Sequence, residues 1–216
     1  RMSSGYVMLV VSFVLLASVI ASIVVQIFPL AVVCALLFFL TIPGYFFINP
    51  NGSMVLTLFG AYKGTVKQNG FFWANPFYTK KRISLRARNF DSERVKVNDK
   101  LGNPIMISVI LVWKVENTFK SAFEVDNFEN FVRVQTDAAV RKMSGLYPYD
   151  DWEDSDEYKI TLRSGMTEVN EALENELSER LEIAGINVME ARIGYLAYAE
   201  EIASAMLKRQ QATAII

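Results

Sequence analysis

The sequence predicts an α+β protein held to a membrane: a two-helix apolar hairpin, then antiparallel β-sheet with packed helices, then a helix leading away. Three observations carry that prediction. No charged side chain stands between Arg1 and Lys63. Strand-like alternation and turn residues then fill most of residues 54–115. Apolar residues at helical spacing follow from 126 to 184, before a β-rich return. The divisions are residues 1–48 for the hairpin, 49–196 for the folded domain and 197–216 for the start of the outgoing helix.

Tyr6–Val25 is one apolar stretch of 20 residues, and Leu30–Ile48 is a second of 19. At ~1.5 Å of rise per residue, each is long enough to cross roughly 30 Å of hydrocarbon. Leu, Ile, Val and Phe each favour insertion by roughly 0.3–0.6 kcal/mol, and no charge opposes them. The link Gln26-Ile27-Phe28-Pro29 is too short to build a domain beyond the membrane. The two helices are therefore expected antiparallel, with both ends emerging on one face; full crossing and a re-entrant loop both remain open. A signal peptide is the competing reading, with Arg1 as n-region, Val7–Ile20 as apolar core and cleavage after Ala21. The second apolar span following at once argues against it. Because the chain opens on Arg1, its native start is expected upstream.

Charge sets the expected orientation. Residues 63–100 carry ten Lys or Arg against Asp91, Glu93 and Asp99, a bias that places this side in the cytoplasm. Residues 116–184 reverse the sign, with 17 acids and 7 bases. A net charge of −1 thus hides a dipolar chain, basic near the membrane and acidic further on. The basic part suits anionic headgroups or, for most of its residues, plain solvation as a strand surface.

Composition excludes several chemistries. Without histidine there is no Ser-His-Asp or Cys-His arrangement, and the commonest metal ligand is missing. The single cysteine, Cys34, lies in the second apolar span and offers neither a disulfide nor a CxxC site. Neither GxxxxGK[ST] nor GxGxxG occurs. The acidic run Asp150–Glu157 reads as a solvated linker. No catalytic residue, cofactor site or metal site is assigned.

Asn49-Pro50-Asn51-Gly52 is turn chemistry separating hairpin from domain. Met54–Phe59 reads as a strand, Gly60–Gly64 as a turn, and Gly70–Trp73 follows a second turn signal at Gln68-Asn69. Phe71, Phe72, Trp73 and Phe77, with Lys80, Lys81 and Arg82 just after, form an aromatic-plus-basic cluster suited to the headgroup level. A β-sheet core is the other reading of the same aromatics. Arg82–Phe90 alternates as one half-buried strand, and Glu93–Val97 is another. Asn98–Asn103 is a hairpin loop, and Ile105–Val115, apolar on both faces, is the central strand.

Asp126-Asn127-Phe128-Glu129 has the form of a capping box with Asp126 as N-cap, opening a helix that Gly145 ends in the left-handed conformation. Leu162 to Ala184 shows the cleaner helical pattern, ended by Gly185, with Glu168, Glu171, Glu174, Glu179 and Glu182 on its polar face. Ile186–Ile193 returns as a strand. From Ala199 an Ala-rich helix, with Ile202, Met206 and Thr213 on one side, is expected to run on past Ile216.

The segments VLTLFGAYKGTVKQNGFFWANPF, VNDKLGNPIMISVILVWKVEN and INVMEARIGYLAYAEEIASAMLKRQQA, behind a membrane anchor, resemble the SPFH (band 7) family of stomatins, prohibitins and flotillins. Gly60, Lys63, Gly64, Gly70, Asn75 and Pro76, the strand pair around Asp99, and the exit from Gly185 through Glu201 carry the resemblance over residues 49–216. The loop Asn98–Asn103 is longer than the familiar TKDN core, which leaves the subfamily open. The resemblance implies a non-enzymatic scaffold: homo-oligomeric rings or cages enclosing a membrane patch, a coiled-coil helix after the domain, and membrane proteases or channels as clients. The charge split suits such assembly independently, with Arg86 and Arg88 on the basic part and Glu171, Glu174 and Glu179 on the acidic part as oligomer-contact candidates. Partners expected are lipids and further copies of the chain, with no nucleic acid, because the basic stretch is matched by an acidic half. Two rivals are a regulatory adaptor of a protease or channel that builds no cage, and a membrane hydrolase using Ser164 or Asp150-Asp151.

Overall fold

The uncharged N-terminal stretch folds as two helices, α1 (Gly5–Val24) and α2 (Phe28–Thr41). They belong to the first of two units, Arg1–Arg86 and Ala87–Ile216, in a computed structural model that describes residues 3–150 and 160–213, with side chains through Lys208. α1 is long and apolar enough to cross a membrane. α2 is shorter than the expected span to Ile48: it ends at Thr41 and passes through a 3-10 turn, Ile42–Gly44, into a strand. Ile42 is still right-handed helical, but Pro43 has no N–H to continue the ladder, and the aromatic-rich run Tyr45–Ile48 pairs sideways instead.

One hydroxyl chain pins the helices together. Thr41 donates its proton to the Phe38 carbonyl at 2.7 Å. It can therefore only accept in its 3.0 Å contact with Ser12, which leaves Ser12 to accept from the Tyr45 hydroxyl at 2.7 Å. The direction of every proton follows from that count.

Six short strands complete the unit: β1 (Ser3–Ser4), β2 (Tyr45–Ile48), β3 (Gly52–Leu58), β4 (Ala61–Val66), β5 (Gly70–Trp73) and β6 (Tyr78–Ser84). They form two antiparallel sheets, ordered β1-β5-β2 and β4-β3-β6. The turn expected over Gly60–Gly64 is tighter than that. Phe59 and Gly60, both at positive φ, form a two-residue turn with Leu58 opposite Ala61, while Gly64 lies within β4 beside a register shift. The expected single strand Arg82–Phe90 is also broken. β6 pairs with β3 and stops at Ser84, where the Leu85 amide donates to the Asn51 carbonyl (2.8 Å). The remaining alternation belongs to a different sheet in the second unit.

That second sheet comprises β7 (Arg88–Asp91), β8 (Val95–Asn98), β9 (Pro104–Val115) and β10 (Ile186–Tyr198). β9 is central as expected, with β10 along one edge and β7 and β8 along the other. Ile105, Ile107, Val109 and Leu111 are fully buried. β10 runs on to Tyr198, past the expected end at Ile193, because it pairs along the whole of β9 (Tyr198 opposite Ile105) and absorbs two register shifts on the way. Four helices follow the chain: α3 (Thr118–Phe123), α4 (Phe128–Ser144), α5 (Met166–Glu182) and α6 (Glu200–Thr213).

α3 was not expected; the Asn117 side chain starts it by accepting from the Phe119 and Lys120 amides. The cap of α4 is Asn127 rather than Asp126, accepting from the Glu129 and Asn130 amides at 3.0 Å each. A side chain must lie directly before the first turn to reach those amides, and Asn127 holds that place. Gly145 is right-handed (φ −73°, ψ −12°), not left-handed, because the chain continues into a further turn through Leu146 N–H to the Met143 carbonyl (3.0 Å). Leu162 is buried but precedes α5, its amide held by the Pro148 carbonyl at 2.9 Å. Of the acidic run only Asp150 falls within the described residues; the Thr213 side chain and the continuation to Ile216 lie outside them.

Two acids organise this unit. Asp99 is buried in the β8–β9 loop, where its carboxylate accepts from Asn103 N (2.7 Å), Leu101 N and Tyr149 N (3.0 Å each) and Asn103 Nδ2 (3.1 Å). Glu176 on α5 accepts from Lys142 of α4 and from Arg180, both at 2.6 Å, and these two cations hold its carboxyl below the usual 4.5. Arg180 also donates to Gln135 of α4 at 3.1 Å, which ties the two helices.

Asp99→Ala strands three backbone amides and is expected to cost about 3 kcal/mol in chemical denaturation, with Asp99→Asn losing less because one acceptor oxygen remains. Glu176→Gln should cost about 1–2 kcal/mol at neutral pH, discounted for partial solvent screening. Because the folded carboxyl titrates below its unfolded value, this contribution is complete above about pH 4.5 and fades as pH falls through the depressed pKa. The stability gap between wild type and Glu176→Gln, followed by denaturation from pH 7 down to 3, should therefore narrow only in acid.

Candidate functional site

The base of the helix pair rests on β5 at both ends. Gly5 lies against the Phe71 ring and Gly44 against the Trp73 indole, so closely that a Cβ at either position would collide. Trp73 Nε1 donates to the Thr41 carbonyl at 2.9 Å, satisfying an acceptor that the end of α2 leaves open. The Ala74 amide does the same for Gly44 at 3.0 Å. Phe71 stacks on Tyr45 with centroids 5.6 Å apart and planes 7° off parallel, while Tyr6 meets its edge at 5.5 Å.

Strand alternation sends Phe72 the other way. It packs on Phe46 at 5.9 Å, against a core of Phe46, Ile48, Met54, Leu56, Val66 and Ala74. The aromatic cluster read from the sequence is therefore divided: Phe71 and Trp73 bind the helix ends, and Phe72 fills the domain. Only Phe77 is largely free, at 58% exposure. Its neighbour is Phe59, 86% exposed on the β3–β4 turn, with ring centroids 6.3 Å apart. Sequence reasoning passed over Phe59, although a phenylalanine beside glycine at a tight turn, where Asn or Asp is usual, is itself a signal.

The basic residues give this tip a direction. Arg82 donates to the Phe47 carbonyl at 3.3 Å and lies 4.9 Å over the Phe47 ring. Two residues back along β6, Lys80 donates to the Pro43 carbonyl and sits 5.7 Å from the Phe46 ring. Going from Arg82 to Lys80 thus follows the chain from Phe47 back toward the end of α2. Phe77 and the turn at Phe59 come next, at the end of that strand pair, just beyond Tyr78 and Leu58, which face each other. Burial holds the Lys80 pKa below its usual 10.5. Lys81 is exposed.

The oligomer-contact candidates separate in the same manner. Arg86 is exposed and borders, with Arg82, a cavity of about 190 Å³ at the Asn49–Gly52 turn. Arg88 is engaged within its own unit, paired with Glu129 and lying 5.4 Å over Trp113 and 5.6 Å over Phe128. Glu171 and Glu179 are exposed on α5, and Glu174 is half-buried. A cleft of about 540 Å³ on the β8 side of α4 collects Arg94, Arg133 and Arg141 with Asp91, Glu93 and Asp137. The sequence signal for it was Arg133, Asp137 and Arg141 at successive helical turns. For the hydrolase reading, Ser164 Oγ is bonded to Thr161 Oγ1 at 2.7 Å and Asp150 is paired with Arg163 at 2.9 Å. Neither partner is a general base. Asp151 lies outside the described residues.

No curated protein matches this chain. A family model does: that of the SPFH domain / Band 7 family, over residues 46–216. The match begins in β2, takes in the strands on which the helix ends rest, and runs through the second unit. This chain therefore belongs to the SPFH domain / Band 7 family.

Proposed function

We propose that the chain is a non-enzymatic membrane scaffold that homo-oligomerises into a ring or cage, organising a membrane microdomain and its client proteins. The observation that carries this reading is the uncharged helix pair whose two ends meet the same β-strand through Gly5, Phe71, Gly44 and Trp73. A hairpin of that form inserts from one side and returns to it, so the folded part stays on the side where it was made. The ten bases among residues 63–100 support the cytoplasmic side. With no charge to bind a substrate within the helices, the anchor's contribution is positional.

Phe59 and Phe77 form the part of the sheet that meets the headgroup region, with Lys80, Lys81 and Arg82 behind them. Aromatic rings are favoured at that depth, and each cation that reaches an anionic surface adds about 1 kcal/mol. Assembly is supported by the second unit. α5, with its exposed acids, packs along β10 at one edge of the sheet, and the arginine-bearing cleft beside α4 lies toward β8 at the other. The cleft carries both signs, so the exposed acids of α5 can meet its arginines on a second copy; such a heterologous contact closes into a ring when the rotation allows.

Native mass spectrometry of the full chain in mild detergent should show a large homo-oligomer; a stable monomer would sink the scaffold reading and leave the adaptor. Spin labels at Phe59→Cys and Asn51→Cys, each with Cys34→Ser, test the orientation of the sheet in vesicles. The label at 59 should be open to oxygen and shielded from a polar nickel reagent, with the reverse at 51. Equal polar accessibility at the two positions would remove the tip from the membrane.

A further inference from the structure

Between the lower halves of α1 and α2 lies a groove of about 280 Å³. Leu9, Phe13 and Leu16 form one wall, Phe38 and Ile42 the other, and Phe71 lies at the sheet end. Ser12, Thr41 and Tyr45 border it, yet they present hydrocarbon, because their hydroxyls are committed to one another and to the Phe38 carbonyl. A polar ligand group entering here would find no free donor along that chain. No charged residue lies anywhere in residues 2–62 to hold an ionic head inside the groove.

We propose that this groove is a binding site for one acyl chain of a membrane phospholipid. From Leu9 to Leu16 the wall follows the helix axis for about 10 Å, the direction in which lipid chains run beside a spanning helix. Its volume lies just under the range usual for small-molecule pockets, roughly 300 Å³ and above, which leaves room for a stretch of one chain and none for a whole two-chain lipid. The open side is apolar, and Phe13 is largely exposed along it. Tyr45 and Phe71 stand at the end where the helices give way to the sheet. A chain seated there has its methyl end between the helices and its ester end at those rings. The site rests on the membrane reading above.

The test uses the full chain in phosphatidylcholine nanodiscs doped with a phosphatidylcholine that carries a diazirine in mid-chain. Photolabelling should concentrate several-fold on Leu9, Phe13, Leu16 and Phe38 over Val10 and Val14, which lie at the same depth on exposed parts of α1. Leu16→Trp, filling the groove from an already accessible position, should remove most of the groove label while leaving that on Val10 and Val14 unchanged. Equal labelling of both stripes, or a groove label untouched by Leu16→Trp, would overturn the site while leaving the membrane reading standing. Absence of label from all of α1 would overturn the membrane reading and the site together.

Discussion

The bond from Trp73 Nε1 to the Thr41 carbonyl joins the parts of this protein that obey different rules. Above it, every side chain is uncharged and the helices satisfy their backbone internally, as a hydrocarbon solvent demands. Below it, short strands bury alternate residues, as water demands. A helix end carries unpaired carbonyls, and such acceptors are costly where neither water nor a neighbour reaches them. The indole supplies a donor on an aromatic body, so one residue closes the helix and begins the sheet. Gly5 and Gly44 are the necessary counterparts, since any side chain there would hold the rings of β5 away.

The hydroxyl chain from Tyr45 through Ser12 to Thr41 adds register to that join. Two helices that are apolar all round offer no distinct face to each other, so apolar contact alone sets their register weakly. Three hydroxyls at matched heights fix it. The same chain empties the groove beside it of polar character, which ties the packing of the helices to the kind of molecule that fits between them.

In the second unit the corresponding role falls to carboxylates. Asp99 gathers three backbone amides that the β8–β9 loop and the start of the 148–150 segment would otherwise leave unpaired. Glu176 stands between two cations and locks α5 to α4. The acids of α5 thus serve two purposes. Glu176 faces inward and is structural, whereas Glu171 and Glu179 remain exposed and set the charge of the outer surface.

Local pattern by itself determined the two apolar helices, the strands β3, β5 and β8, the central place of β9 and the existence of α4 and α5, because hydrophobic period and charge are local properties; β2 and β4 it read as helix and turn. It also carried the resemblance to the SPFH family, through the spacing of turn and strand segments. Local pattern failed where two choices were locally equal. Asp126 and Asn127 both cap well, and only the path of the chain into α4 selects Asn127. Arg82–Phe90 alternates without a break, yet its halves pair with different strands. Phe71, Phe72, Trp73 and Phe77 read alike as one aromatic cluster. Tertiary structure alone assigned Phe71 and Trp73 to the helix ends, Phe72 to the core and Phe77 to an exposed tip with Phe59, since what surrounds a ring is set by strands distant in sequence.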